Sequence, residues 1–280
     1  MEAPTRDAVS AAMPTFTSIG SSLYRARQKM YPSLPTTRQN IELKEQWTQT
    51  LNNQRFLLAD DGEGDQRIII FATDLMLQRL TTATTLYMDG TFKAYPRLFY
   101  QLFSIHIFIE GVQFPAVYAL LPGKSRDVYS RFLMVLLTKL QDLQLVLQPT
   151  RILVDFELAL VQAVQLAFPV SQLSGCYYHY QQCIWRWVST NGHTTLYRQH
   201  DDFYQFVRET AALAFIPLNQ IRLAWGLLQM KFGPLRQTSD AAAAFSDYFN
   251  GDSPLLPVFG DLFPTNIVHH LGTLFKIKCP

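Results

Sequence analysis

The sequence predicts an α/β fold: a mixed five-stranded sheet flanked by helices, with a helical insertion after the fifth strand. Three observations carry this expectation. Runs rich in apolar, aromatic and β-branched residues at 85–89, 99–110 and 114–121 are separated by short connections, the pattern of an antiparallel meander. Two further apolar runs, 151–156 and 172–178, are each reached through a stretch with helical spacing, which is how strands add in parallel. Hydrophobic residues make up 48% of the 280, enough for a buried core, and a 13% aromatic content excludes bulk disorder.

The elements follow in order. Residues 1–54 form an arm with short helices. Its first forty residues carry Pro14, Pro32 and Pro35, and five basic residues (Arg6, Arg25, Arg27, Lys29 and Arg38) against Glu2 and Asp7. This reads as a solvated arm with one short helix near Ser21–Met30, or as a basic arm that touches a phosphate backbone. Arg55–Ala59 is a short strand, the run Asp60-Asp61-Gly62-Glu63-Gly64-Asp65 a turn, and Arg67–Ala72 a second short strand. Leu75, Met76 and Leu80 place one face of a helix over Thr73–Thr81.

The five strands of the expected sheet come next. Thr85–Asp89 is the first, Phe99–Glu110 the second and Phe114–Leu121 the third, with Gly111-Val112 as a turn between the last two. Pro122-Gly123-Lys124-Ser125 breaks the chain before a helix over Val128–Leu143. Arg151–Phe156 is the fourth strand. A helix over Glu157–Phe168 follows, closed by Pro169, then the fifth strand Gln172–Tyr178 and a helix over His179–Val188. This order is that of the ribonuclease H-like fold, whose core spans 55–190. A helical insertion follows over 191–249, in which Pro217 divides a helical stretch at 203–232, and an irregular segment rich in Gly and Pro occupies 250–280. No internal repeat is present.

Composition narrows the function. Lys and Arg total 24 against 22 Asp and Glu, so the chain is not polybasic and any nucleic-acid site must be local. Three cysteines cannot build a disulfide scaffold and fit a reducing, intracellular compartment. No run approaches the roughly 20 apolar residues that span a bilayer, so no membrane partner is expected. The N-terminus lacks the basic and apolar regions of a secretory signal. No glycine-rich phosphate loop of the Walker type is present.

Two acids stand out. Asp89 ends the first strand of the sheet, in Leu86-Tyr87-Met88-Asp89-Gly90, and Asp155 ends the fourth, in Ile152-Leu153-Val154-Asp155-Phe156-Glu157. The topology makes these strands neighbours. Taken singly, each Asp reads as a strand-end cap. Taken together, two carboxylates at one sheet end repel unless a cation lies between them, and Mg²⁺ or Mn²⁺ with oxygen ligands is the natural solution. Such ions support phosphodiester chemistry.

Asp89-Gly90-Thr91-Phe92-Lys93, the strand from Gln101 to His106, Pro115–Leu121, Val154-Asp155-Phe156-Glu157 and Gly175-Cys176-Tyr177-Tyr178-His179 occur in this order. The set resembles the transposase domain of Mutator-like elements, a DDE-type family with a ribonuclease H-like core, over about residues 14–220. The resemblance implies metal-dependent DNA cleavage and strand transfer, with Asp89 and Asp155 as catalytic acids and ligands of Mg²⁺ or Mn²⁺. It also implies transposon-end DNA as partner, a nuclear location and room for a homo-oligomer. The family's third acid is a Glu that follows an Asn-Asn pair in a downstream helix. Here Glu209 is the last Glu, and residues 210–280 hold only Asp240, Asp247, Asp252 and Asp261 as acids. The chain is therefore expected to be truncated or diverged before the third acid and to be catalytically incomplete. A non-catalytic, transposase-derived DNA-binding or interaction module is the alternative.

Cys176 and His179 form the Cys-x2-His motif that such transposases carry between the second and third acids. Structural zinc needs four ligands, and Cys183, His193 and His200 follow no common finger spacing, so zinc is not the expected ligand. A Cys176 that fills the core and a His179 that hydrogen-bonds near the acids are expected instead. Lys93, Arg97, Lys124 and Arg126 flank the turns near Asp89 and after the third strand, as phosphate contacts or as plain exposed turn residues. Arg186 lies between Trp185 and Trp187, where packing of one Trp in the core is the simpler reading. Glu157 starts a helix, a place where an acid is favoured by the helix dipole, with an outer metal ligand as its other reading.

Overall fold

The computed structural model describes residues 16–29, 35–62, 64–91 and 97–252. The chain forms two compact units, residues 1–42 and 43–280. In the first, helix α1 spans Phe16–Lys29, beginning five residues before the Ser21 expected from sequence. It has no acid in its first turn and carries Arg27 and Lys29 in its last, where the dipole favours cations. Leu23 and Tyr24 are exposed on it.

The second unit is built on one sheet. Its strands are β1 (Leu57–Asp61), β2 (Ile68–Phe71), β3 (Thr85–Thr91), β4 (Gln101–Ile109), β5 (Val112–Leu121), β6 (Arg151–Val154) and β7 (Gln172–Gly175), in the order β1-β2-β5-β4-β3-β6-β7. Seven strands, rather than the expected five, correct the sequence reading. Both extra strands were recognised as strands, but their place was not. β2 pairs antiparallel with β5, through Ile69↔Leu120, Ile70↔Ala119 and Phe71↔Tyr118, and so covers the outer edge of the meander. Ile68, Ile69 and Ile70 are buried by this pairing. Arg131 ties β1 down from the neighbouring helix, with an ion pair to Asp61 at 2.5 Å and a hydrogen bond to the Gln66 carbonyl at 2.8 Å. Beside it Gly62 has a φ of +86°, a conformation that suits glycine, and a Cβ there would have to displace the flexible end of Arg131.

The meander forms as expected, but its turn falls one residue earlier than the expected Gly111-Val112, because Val112 already pairs as the first residue of β5. Glu110 (φ 51°) and Gly111 (φ 81°) make a two-residue turn with both φ positive, the geometry that matches strand twist, and Ile109 pairs with Val112 across it. β6 and β7 then add in parallel beside β3.

The helices of this unit are α2 (Glu45–Thr48), α3 (Asp74–Thr82), α4 (Arg126–Asp142), α5 (Leu158–Ala167), α6 (Tyr177–Thr190), α7 (Thr194–Gln199), α8 (Asp201–Ala212), α9 (Ile221–Lys231), α10 (Gly233–Thr238) and α11 (Asp240–Asp247). Thr73 and Ser125 cap α3 and α4 by accepting the backbone N–H of Met76 and Val128. Pro217 falls between two short 3-10 turns, Leu213–Phe215 and Leu218–Gln220, so the helical stretch is divided there. Tyr248–Asp252 is a π-helical turn; the rest of the segment expected to be irregular lies outside the described residues.

Two hydrophobic cores result. The first takes alternate residues of the sheet, among them Leu86, Met88, Phe103, Ile105, Val117, Ala119, Ile152 and Val154. They pack against Leu77 and Leu80 of α3, Phe132 and Leu136 of α4 and Leu160 and Val164 of α5. Full burial of each large side chain contributes roughly 1.5–3 kcal/mol. The second core is helical and aromatic: Tyr180, Ile184 and Val188 of α6 meet Phe203 and Phe206 of α8, Trp225 of α9 and Phe245 of α11. Phe206 and Phe245 pack edge to face at 5.3 Å. Phe156, just after β6, packs against both cores.

Candidate functional site

β3 and β6 pair in parallel through Thr85↔Arg151, Leu86↔Ile152 and Tyr87↔Leu153. The offset in each pair is 66, since 151 − 85 = 66. Asp89 lies two residues past Tyr87 within β3, and Asp155 two residues past Leu153, just beyond the end of β6, so the same offset of 66 separates the two acids. Side chains alternate across a strand, so Leu86, Met88, Ile152 and Val154 enter the sheet core while Asp89, within β3, projects to the other side; Asp155 follows directly after β6. A buried strand that ends in an acid therefore delivers a carboxylate just where hydrophobic packing stops.

The environment of the two acids differs. Asp89 is about half exposed. Asp155 is held above the usual carboxylate range by burial, and the negative charge of Asp89 pushes the same way. Three groups oppose that shift: the Glu157 backbone N–H, which donates to Asp155 Oδ1 at 3.1 Å, His179 and Lys124.

His179 reaches the pair from α6. Cys176 is the N-cap of this helix, so His179 lies three residues in, and a three-residue step returns to the same helix face. The helix begins at Tyr177 rather than at His179 because strand β7 stops at Gly175. His179 Nε2 lies 3.6 Å from Asp89 Oδ1, an ion-pair distance. Its imidazole is held above the ordinary value chiefly by Cys176, against an opposing effect of burial, with Asp89 and Asp155 adding to the rise.

A second line of polar groups approaches from the core side. Gln101, fully buried at the start of β4, donates from Nε2 to the Gly123 carbonyl and to the Tyr129 hydroxyl, each at 2.9 Å. Tyr129 donates in turn to Glu157 Oε2 at 3.2 Å. Glu157 is raised by burial first and by Asp155 second. Tyr129 is held far above the usual phenol range by burial.

Sequence reasoning did not single out Gln101, Tyr129, Ser104 or His106 as members of this region. Ser104 is paired with Asp89 across β3 and β4; its Oγ lies 2.8 Å from His106 Nε2 and 3.4 Å from the Asp89 carbonyl oxygen. Their signal was present: Ser104 and His106 stand two apart in an otherwise apolar strand, which marks a polar sheet face. Burial lowers His106 below its ordinary value. The two histidines are thus shifted in opposite directions, His106 down by burial and His179 up chiefly by Cys176.

The other singled-out residues make contacts of their own or lie outside the described residues. Lys93 is among the residues not described. Arg97 and Arg126 are exposed, and Arg126 pairs loosely with its neighbour Asp127 at 3.8 Å. Trp187 packs on Phe245 at 5.2 Å and stacks on Tyr248 at 5.6 Å, partly buried against the helical core rather than inside it, while Trp185 is exposed. Glu209 pairs with Lys231 at 2.5 Å. His193 packs on Trp187, His200 stands at the N-cap position of α8 without a side-chain capping bond, and Cys183 is half-buried. A shallow pocket lined by Thr84, Thr85, Tyr87 and Phe108 lies toward the opposite end of β3, and neither acid lines it. Among the described residues no three His, Cys, Asp or Glu side chains are grouped so as to hold a metal ion.

A mixed α/β unit with helices against the sheet and two acids at one strand end is the class of protein that these features define. Residues 85–183, from the start of β3 into α6, match the family model of the MULE transposase domain. That stretch contains Asp89, Asp155, Cys176 and His179. The match covers 99 of the 280 residues and supports a MULE transposase domain over that stretch. No curated protein matches the chain.

Proposed function

We propose that the chain is a transposon-derived protein whose domain has a ribonuclease H-like core, the β1–β2 hairpin being an addition to it. Asp89 and Asp155 are, on this reading, two of the acids of a DNA strand-cleaving and strand-joining site. The observation that supports it is the parallel register of β3 and β6, in which Asp89 and Asp155 each follow the last pair, Tyr87↔Leu153, by two residues. The donor chemistry fits a hard divalent cation. Both groups are carboxylates, and Asp155 is buried beside the negative charge of Asp89. Asp89 and Asp155 would hold Mg²⁺ or Mn²⁺, which supplies activation of an attacking oxygen and stabilisation of a leaving one. His179 holds one oxygen of Asp89, and the Glu157 N–H orients Asp155. Duplex DNA is the substrate class, by family likeness, and the nucleus the place of action.

We read the site as catalytically incomplete. Two carboxylates give weak coordination, and the Glu that the family likeness would supply from a downstream helix has no counterpart after Glu209 in the 280 residues. A misplacement of ~1 Å costs about a hundredfold in rate. This same observation supports the second reading, a non-catalytic DNA-binding or interaction module.

The test is incubation of the 280-residue chain with linear duplex DNA and Mn²⁺, beside a chain extended by a helix bearing the missing Glu. Weak or absent cleavage by the former and cleavage by the latter is the expected result. Robust cleavage by the 280-residue chain, abolished by Asp155→Asn, would overturn incompleteness and assign another acid to the site. Salt-sensitive binding without cleavage by either chain would favour the binding module.

A further inference from the structure

β5 runs antiparallel to β4, which runs antiparallel to β3, so β5 ends at the same edge of the sheet as Asp89 and Asp155. The turn Pro122-Gly123-Lys124-Ser125 therefore sits on the acids' side of the fold. It is unusually well fixed for a turn. Gln101 holds the Gly123 carbonyl from inside the core, at 2.9 Å. Ser125 Oγ accepts the Val128 N–H at 3.3 Å and starts α4. Lys124, between these two anchors, is exposed, and its Nζ lies over the Tyr100 ring at 5.9 Å from the centroid. Its positive charge reaches both Asp155 and Glu157 and favours their ionised forms.

We propose that Lys124 is the residue that receives a backbone phosphate of the nucleic acid beside the Asp89–Asp155 pair. This rests on the reading of the site as one that engages DNA, and deepens it by naming the cation. Two acids at a sheet end repel a polyanion, so DNA can approach them only if a cation on the same edge offsets that charge. Lys124 meets the requirement: it is exposed, and its backbone is held on both sides. Arg126 meets it less well, since it is turned toward Asp127. An ammonium on a flexible stem acts on phosphate as a point charge, so an arginine should replace it.

The experiment compares binding of a short duplex DNA by the wild-type chain and by Lys124→Ala, Lys124→Arg and Lys139→Ala across a range of salt. Lys139 is the control. It carries the same charge near the far end of α4, paired with Asp142 at 3.4 Å. The slope of log K against log salt should fall in magnitude by roughly 0.9 in Lys124→Ala, the value of one lost phosphate contact. It should be unchanged in Lys124→Arg and Lys139→Ala. A wild-type slope in Lys124→Ala, or an equal drop in Lys139→Ala, would overturn the assignment of Lys124 and leave the DNA reading standing. Absence of salt-dependent binding by the wild-type chain would overturn both.

Discussion

His179 Nε2 and Asp89 Oδ1 lie 3.6 Å apart, a contact between α6 and β3 that spans 179 − 89 = 90 residues of sequence. It places a base with a raised pKa against the more exposed of the two acids. Any cation that binds Asp89 competes with that imidazolium for the same oxygen. Mn²⁺ binding is accordingly expected to strengthen as pH rises through the His179 titration. His179→Asn should strengthen binding a few-fold at mildly acidic pH and flatten the dependence, less so at high salt, because Asp89 is half exposed. Calorimetric titration at two pH values checks this. Weaker binding in His179→Asn would make the imidazole a ligand instead. Loss of all binding in the Asp89→Asn, Asp155→Asn double variant is expected in either case.

Asp155 makes a stability prediction whose sign follows from its raised pKa. The native state keeps this proton to higher pH than the unfolded chain, so in that window the unfolded chain binds fewer protons and stability falls as pH rises. Asp155→Asn removes the charge but keeps an oxygen for the Glu157 N–H. In metal-free buffer the variant should be more stable than the wild type at pH 7. The difference should close as pH drops below the ordinary value of 3.8. Urea denaturation at both pH values measures it; equal stability at pH 7 would contradict the burial argument.

Tyr129→Phe removes the hydroxyl that links Gln101 to Glu157. It leaves a buried amide donor without that partner, at a cost of about 1–3 kcal/mol. The ring, packed on Phe103 at 5.5 Å, is retained, so a loss well beyond this range would mean that the packing itself is disturbed.

In the helical core, Phe245→Ala is expected to destabilise by about 3–5 kcal/mol. Phe245 is fully buried against Phe203, Phe206, Trp187 and Phe249. A change under about 1 kcal/mol in chemical denaturation would indicate that this core is not a cooperative part of the fold.

The sequence by itself determined the elements that local pattern controls. The Ile-Leu-Val run before Asp155, a tight turn at Gly111 and the proline breaks at 169 and 217 are all legible. Each is a matter of periodicity, φ preference or a missing N–H over a few residues. The equal spacing of 66 between Asp89 and Asp155 was also within reach, because a parallel register carries a constant offset along both strands. Tertiary structure alone decided the rest. The run of three isoleucines at 68–70 declares a buried strand but not its partner, since pairing with β5 closes a loop of some fifty residues whose cost no local signal encodes. The same holds for Tyr129 and Gln101, which look like ordinary core residues of a helix and a strand until packing brings them to Glu157. Which carboxylate is buried, and which is met by His179, depends on how two separate cores abut at Phe156, a long-range packing outcome rather than a property of any segment.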